Sequence, residues 1–171
     1  MMNLIDFHRG DGTDSEGRTL DEILAWPDDD WEMSHDFIQW VFPTRKASRF
    51  NPDAPLPTDD DIRLFHADPL LRANLRRSFE RFLNFLGLDY EGDRVILKER
   101  KRYAWGGPNH NWLRITRVLD CLTTLGLEQE AADLFACLTR LLADPAMGVD
   151  GETFRYWRRA GVAAGKEPRG R

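Results

Sequence analysis

Three polar clusters carry the side chains that can do chemistry: His35-Asp36 with Gln39, Arg49-Phe50-Asn51 with Asp53, and Asn109-His110-Asn111 with Arg114 and Arg117. A histidine beside a carboxylate has the make-up of a general base and its orienting acid, so His35 or His110 is the candidate acid/base of a small-molecule hydrolase or transferase. The third cluster follows Gly106-Gly107-Pro108. Such a turn, running into a helix N-terminus, offers free N–H groups and a favourable field to an anion. His110, Arg114 and Arg117 would add charge along the same edge, which suits a carboxylate or phosphate. Asn51, Asp53, Asn109 and Asn111 are equally the residue types that cap helices and hold turns, so a structural reading stands beside the functional one. No serine or cysteine occupies a nucleophile motif, no phosphate-loop or dinucleotide fingerprint occurs, and the histidines and acids lack ligand spacing. No catalytic residue is assigned, and no metal or cofactor is expected.

These clusters must be positioned by helices. From Trp105 to Gly126 the spacing predicts a helix with Trp112, Ile115, Leu119 and Leu122 on one face and a second, covered stripe holding His110, Leu113, Arg114, Arg117 and Cys121. Residues 127–142 repeat the pattern, so the two helices should form an antiparallel hairpin. Thr19 and Glu22 have capping-box spacing for a short helix that Pro27 ends. Asp28 to Asp30 supply the next cap, leading into a three-turn helix, WEMSHDFIQWVF, on which His35 and Gln39 share a face. The proline-rich stretch 43–58 reads as an extended connection, long enough to be functional. Thr58 caps a helix through Ala67, and Asp68-Pro69 opens a stronger one that Gly87 stops. A hairpin is expected within 88–104, and a last helix over 153–160 turns Phe154 and Trp157 inward and arginines outward. The sum is a mostly α, single-domain irregular bundle of about seven helices over 18–160, with a flexible leader at 1–17 and a flexible basic tail at 161–171.

The chain has 171 residues, 42% hydrophobic and 31% charged, with six tryptophans and ten phenylalanines, which is enough to bury a continuous core and excludes a disordered chain. It lacks an apolar run long enough for a membrane span and a signal-peptide pattern, and its two cysteines fall within helical patterns, so the expected setting is the cytoplasm. A net charge of −5 disfavours nucleic acid as the partner. Carboxylates crowd 11–36 and arginines crowd 72–117; the simplest arrangement lays the acidic segment across the basic middle.

The segments WEMSHDFIQWVFP, SRFNPDAPLPT and WGGPNHNWLRITRVL closely resemble, in the same order, the signature segments of the conserved N-terminal domain of the opioid growth factor receptor family. The resemblance runs from about Leu20 to Arg158. It implies receptor activity toward a peptide, met-enkephalin in the vertebrate protein, with a role in restraining growth and an association with the nucleus and its envelope. Peripheral membrane association follows only by that analogy. Ending soon after the domain, the chain looks like the short, bacterial-type stand-alone members. The first expectation is therefore a binding domain for a peptide or small anionic ligand, using His35, Asp36, Gln39, Arg49, Asn51, Trp105, Asn109, His110, Asn111, Arg114 and Arg117. Beside it stand the acid/base enzyme and a structural interaction module built on the basic helix Arg72 to Arg81.

Overall fold

Asn3 caps a first helix, α1 (Leu4–Arg9), by accepting a hydrogen bond from the Ile5 N–H, inside the stretch expected to be a loose leader. In the computed structural model, which describes residues 3–161, Leu4, Ile5, Phe7 and His8 of this helix are all buried. Six residues are too few to show a helical period, and such a short helix is held by tertiary packing rather than propensity. Buried Asp14 closes the following turn through the N–H groups of Glu16 and Arg18 and the Arg18 guanidinium. The flexible tail expected at 161–171 falls almost wholly on residues outside those described.

The chain divides into two compact units, Met1–Phe85 and Leu86–Arg171. In the first, α1 is followed by α2 (Leu20–Leu24), α3 (Asp28–Met33), α4 (Ile38–Val41), α5 (Asp59–Ala67) and α6 (Pro69–Phe85). Thr19–Glu22 forms the reciprocal cap read from the sequence for α2, and Thr58, read as the cap of α5, forms a reciprocal one with Asp61 as well. At α3 the cap position is held by Pro27, and Asp28, Asp29 and Asp30 fill the first turn instead, where their charge favours the helix dipole.

The expected helix over WEMSHDFIQWVF is broken. Ser34 is extended (φ −89°, ψ 139°), and the chain restarts only at Ile38. The Asp36 carbonyl, which a continuous helix would give to Trp40, accepts from Asn51 Nδ2 at 3.0 Å, while the Asp36 carboxylate meets Arg18 at 3.1 Å. His35 and Gln39 therefore do not share a helical face.

The core of the first unit is aromatic. Trp31 meets Phe37 edge-on, Phe42 meets Phe82, and Trp31 donates its indole N–H to the Ile23 carbonyl. Over this core the acidic segment does lie against basic α6: Arg77 pairs with Asp21 and Arg81 with Asp28, each at 2.8 Å, and the Arg81 guanidinium sits 4.9 Å from the centre of the Trp31 ring. Exposed pairs such as Arg77–Asp21 contribute little individually; the half-buried Arg81 gains more from its ring contact and the Trp26 carbonyl.

His8 is a buried residue that periodicity could not reveal. Its Nε2–H donates to the Trp40 carbonyl at 2.8 Å, the rings of Phe7 and Phe65 meet it edge-on, and Nδ1 is buried without a partner. Burial lowers its pKa to about 4 from an ordinary value of 6.5, even though the carbonyl favours the charged form. Because the unfolded chain binds this proton more readily, stability is complete above pH 6.5 and is lost as pH falls toward 4, by up to about 3 kcal/mol at this site. Urea unfolding across that window should show a steeper loss for the natural chain than for His8→Gln, which keeps a donor for the carbonyl but cannot titrate. Equal slopes would mean that His8 is not held neutral.

The second unit opens with an antiparallel hairpin, β1 (Leu88–Glu91) and β2 (Arg94–Leu97), pairing Leu88 with Leu97 and Glu91 with Arg94. Then come α7 (His110–Thr124), α8 (Glu128–Leu142), a single 3-10 turn at Pro145–Met147, and α9 (Gly151–Gly161). Nine α-helices thus stand among the described residues where about seven were expected; α1 and the break in the helix expected over WEMSHDFIQWVF make the difference. The fold is mostly α, as the sequence implied. Helix α7 packs against both α8 and α9. Trp112, Ile115, Leu119 and Leu122 are buried, as are Ala131, Leu134, Leu138 and Leu141 on α8. Tyr90 ties the hairpin to α8 through Asp133. Among the described residues no helix is long and apolar enough to cross a membrane.

Candidate functional site

In the first unit, the break before α4 and the loop 43–58 hold each other. Gln39 is buried and donates through Nε2 to Ser48 Oγ at 3.3 Å; the same Oγ accepts the Phe50 N–H at 3.2 Å. Asn51 reaches the Asp36 carbonyl from the far side of Phe50. Partial burial works against the charge of Arg18, yet its hydrogen bonds and attraction to Asp14 and then Asp36 hold its pKa above the ordinary value. Gln39, Asn51 and Asp36 are thus occupied in fixing a loop that has no regular secondary structure. Two side chains between these ties point outward: Arg49 is exposed, and Phe50 is 75% exposed. His35 is also exposed. Phe50 belongs to the Arg49-Phe50-Asn51 cluster but was not among the residues expected to hold the ligand. The available signal was an aromatic residue in a stretch with no helical face for it to join.

In the second unit, Asn109, extended at φ −154°, caps α7 by accepting from the Asn111 N–H at 2.9 Å, and its Nδ2 donates to the Ala104 and Gly107 carbonyls. Asn111 is fully buried and donates to the Tyr103 carbonyl at 3.0 Å; Trp112 donates to Ala104 and Trp105 to Leu86, each at 2.8 Å. The Gly106 N–H goes to the Met147 carbonyl at 2.8 Å, and a Cβ on Gly148 would lie 2.6 Å from the Gly106 carbonyl carbon. The Gly-Gly turn is therefore a close backbone contact with the 3-10 segment. The N–H groups of Gly106, Asn111 and Trp112 are already given to protein oxygens.

The basic residues of α7 differ in setting. Arg114 is only 5% exposed and donates to Asn111 Oδ1 at 3.4 Å. Arg117 is half-buried, and burial depresses its pKa despite the nearby Cys121 and Asp120. His110 is exposed at the first position of the helix. The stripe expected to be covered is closed at Arg114 and Cys121 but open at His110 and at Leu113, which is 63% exposed. Burial also raises the Cys121 pKa far out of the reactive range, so this thiol is an inert packing group. Trp31, Trp40 and Trp105 are all buried.

The predicted site residues thus fall in both units: His35, Asp36, Gln39, Arg49 and Asn51 in the first, and Trp105, Asn109, His110, Asn111, Arg114 and Arg117 in the second. No group of three or more histidine, cysteine or carboxylate side chains among the described residues is arranged to hold a metal ion.

The pattern described as the opioid growth factor receptor conserved region matches residues 1–160. The chain belongs to that family. Family relatives include the opioid growth factor receptors of Rattus norvegicus and Mus musculus, each 33% identical over 127 residues, and that of Homo sapiens, 32% identical over the same length. Those alignments cover 69% of this chain but only 22%, 20% and 19% of the three receptors, so the chain spans about a fifth of their length. No solved structure matches it significantly. The family match begins at the first residue and so takes in α1, which the three signature segments did not reach.

Proposed function

We propose that this member of the family is a non-enzymatic binding module that takes a peptide, and that the loop 43–58 is its recognition surface. One observation carries the reading: Phe50 stands 75% exposed between Ser48 and Asn51, both hydrogen-bonded back to the body of the unit. An aromatic side chain on a tied loop offers contact area with little further ordering cost, and adjacent Arg49 supplies a fork for a carboxylate. The name its relatives carry, opioid growth factor receptor, supports a peptide growth factor as the kind of ligand. The cytoplasm suits the two cysteines, which are buried free thiols.

Thermal shift with met-enkephalin and a set of short peptides with free C-termini tests this, since a ligand that binds only the folded chain raises its melting temperature. Phe50→Ala should weaken binding of the responding peptide by about tenfold or more while leaving the melting temperature of the free chain within about 2 °C, because an exposed residue contributes little to folding. Undiminished binding by Phe50→Ala would move recognition away from the loop.

A further inference from the structure

Helix α9 is held from one side. Trp157 is fully buried and donates to the Trp112 carbonyl, Phe154 stacks on Phe135 at 5.3 Å, and the Ala160 carbonyl accepts from Thr123. Its other side is open: Arg155, Tyr156, Arg158 and Arg159 are all exposed. Arg155 and Arg159 stand one turn apart and, with Glu152 and Tyr156, line a depression of about 130 Å³. On α6, Arg77 and Arg81 are matched by the chain's own Asp21 and Asp28, whereas Arg155, Arg158 and Arg159 have no ion pair among the described residues. The helix that carries these three guanidinium groups is anchored through Trp157 and Phe154.

We propose that this side of α9 docks an acidic peptide segment of a partner protein. One carboxylate fits the depression that Arg155 and Arg159 line, and a second reaches Arg158. Tyr156, 52% exposed, adds a ring and a hydroxyl beside them. Charge complementarity favours an acidic peptide over a nucleic acid: three arginines on one short helix match a few spaced carboxylates, whereas Glu152 beside them and the chain's −5 oppose the dense charge of a continuous phosphate backbone most. This site lies in the second unit and does not depend on the loop that carries Phe50.

Fluorescence anisotropy on the full chain, with a labelled Glu-Ala-Glu-Ala-Glu peptide as probe and labelled oligothymidine and inorganic phosphate as competitors, decides it. The peptide should bind, weaken as salt is raised, and lose about tenfold or more in affinity when Arg155→Glu and Arg159→Glu are combined. Arg94→Glu, an exposed charge reversal on β2, should change affinity by less than about twofold. If the double reversal lowers the melting temperature, Arg155→Gln with Arg159→Gln carries the same comparison without added repulsion. Absence of peptide binding, an equal loss in Arg94→Glu, or tighter binding of oligothymidine or phosphate than of the peptide would each overturn the proposal.

Discussion

Trp157→Ala should cost about 3–5 kcal/mol of folding stability, the range for removing a large aromatic side chain from a packed interior. Trp157 has no solvent exposure, meets Trp112 at 5.9 Å with the rings nearly perpendicular (78°), and donates its indole N–H to the Trp112 carbonyl at 3.1 Å. Truncation would remove a ring contact and a buried hydrogen bond together and leave a void between α7 and α9. An eleven-residue helix does not persist in water without such an anchor, so amide exchange should rise first along α9. Urea unfolding gives the magnitude. The neighbouring Tyr156→Ala, at a position 52% exposed, should change stability by less than about 0.5 kcal/mol and serves as the control. Similar losses for the two would show that the ring of Trp157 is not what fastens the helix.

The second large effect is expected at Gly87. Its backbone is left-handed (φ +76°), and a Cβ there would lie 1.9 Å from the Glu99 carbonyl oxygen. The Gly87 carbonyl also accepts the N–H groups of Lys98 and Glu99 at 2.8 and 3.0 Å, so the chain leaving β2 is clasped against this residue. Alanine would meet the left-handed penalty of about 1–2 kcal/mol and would force Glu99 away, weakening two hydrogen bonds worth about 0.5–1.5 kcal/mol each. A loss of about 2–5 kcal/mol follows. Gly17→Ala separates the two terms, because Gly17 has a similar φ of +78° with nothing within 4 Å of a Cβ, and it should cost only the backbone part. Should both variants fall by the same amount in urea unfolding, the clasp on Gly87 is not tight.

The candidate site was legible in part, for local reasons. Asn109 and Asn111 could be read as capping and turn residues because a side chain reaching a neighbouring N–H or carbonyl is a short-range event, and both do so. The partner of Asn51 could not be read, since its bond to the Asp36 carbonyl joins residues 15 apart and breaks a helix that local periodicity favoured. Arg114 differs: its partner Asn111 is only three residues away on the same helix, and what spacing could not show is its burial, which packing sets. The outward arginines of α9 were legible from that helix's period, whereas Phe50 and the residues around it stand out for the opposite reason. Nothing in their own segments says whether another part of the chain covers them, and exposure is a property of the whole fold.

By itself the sequence determined the family, through three ordered signature segments, and the long helices with their buried faces, through a period that repeats over several turns. It also determined the caps at Thr19 and Thr58 and narrowed that of α7 to Asn109 or Asn111, because cap partners lie within a few residues. Tertiary structure decided where those segments end and what their polar residues hold. It buried His8 among Phe7, Phe65 and Trp40, broke the helix at Ser34, and left Phe50 facing water. Helix period and capping are written in neighbouring residues, whereas burial and the desolvation that shifts a pKa are set by residues brought together from distant parts of the chain.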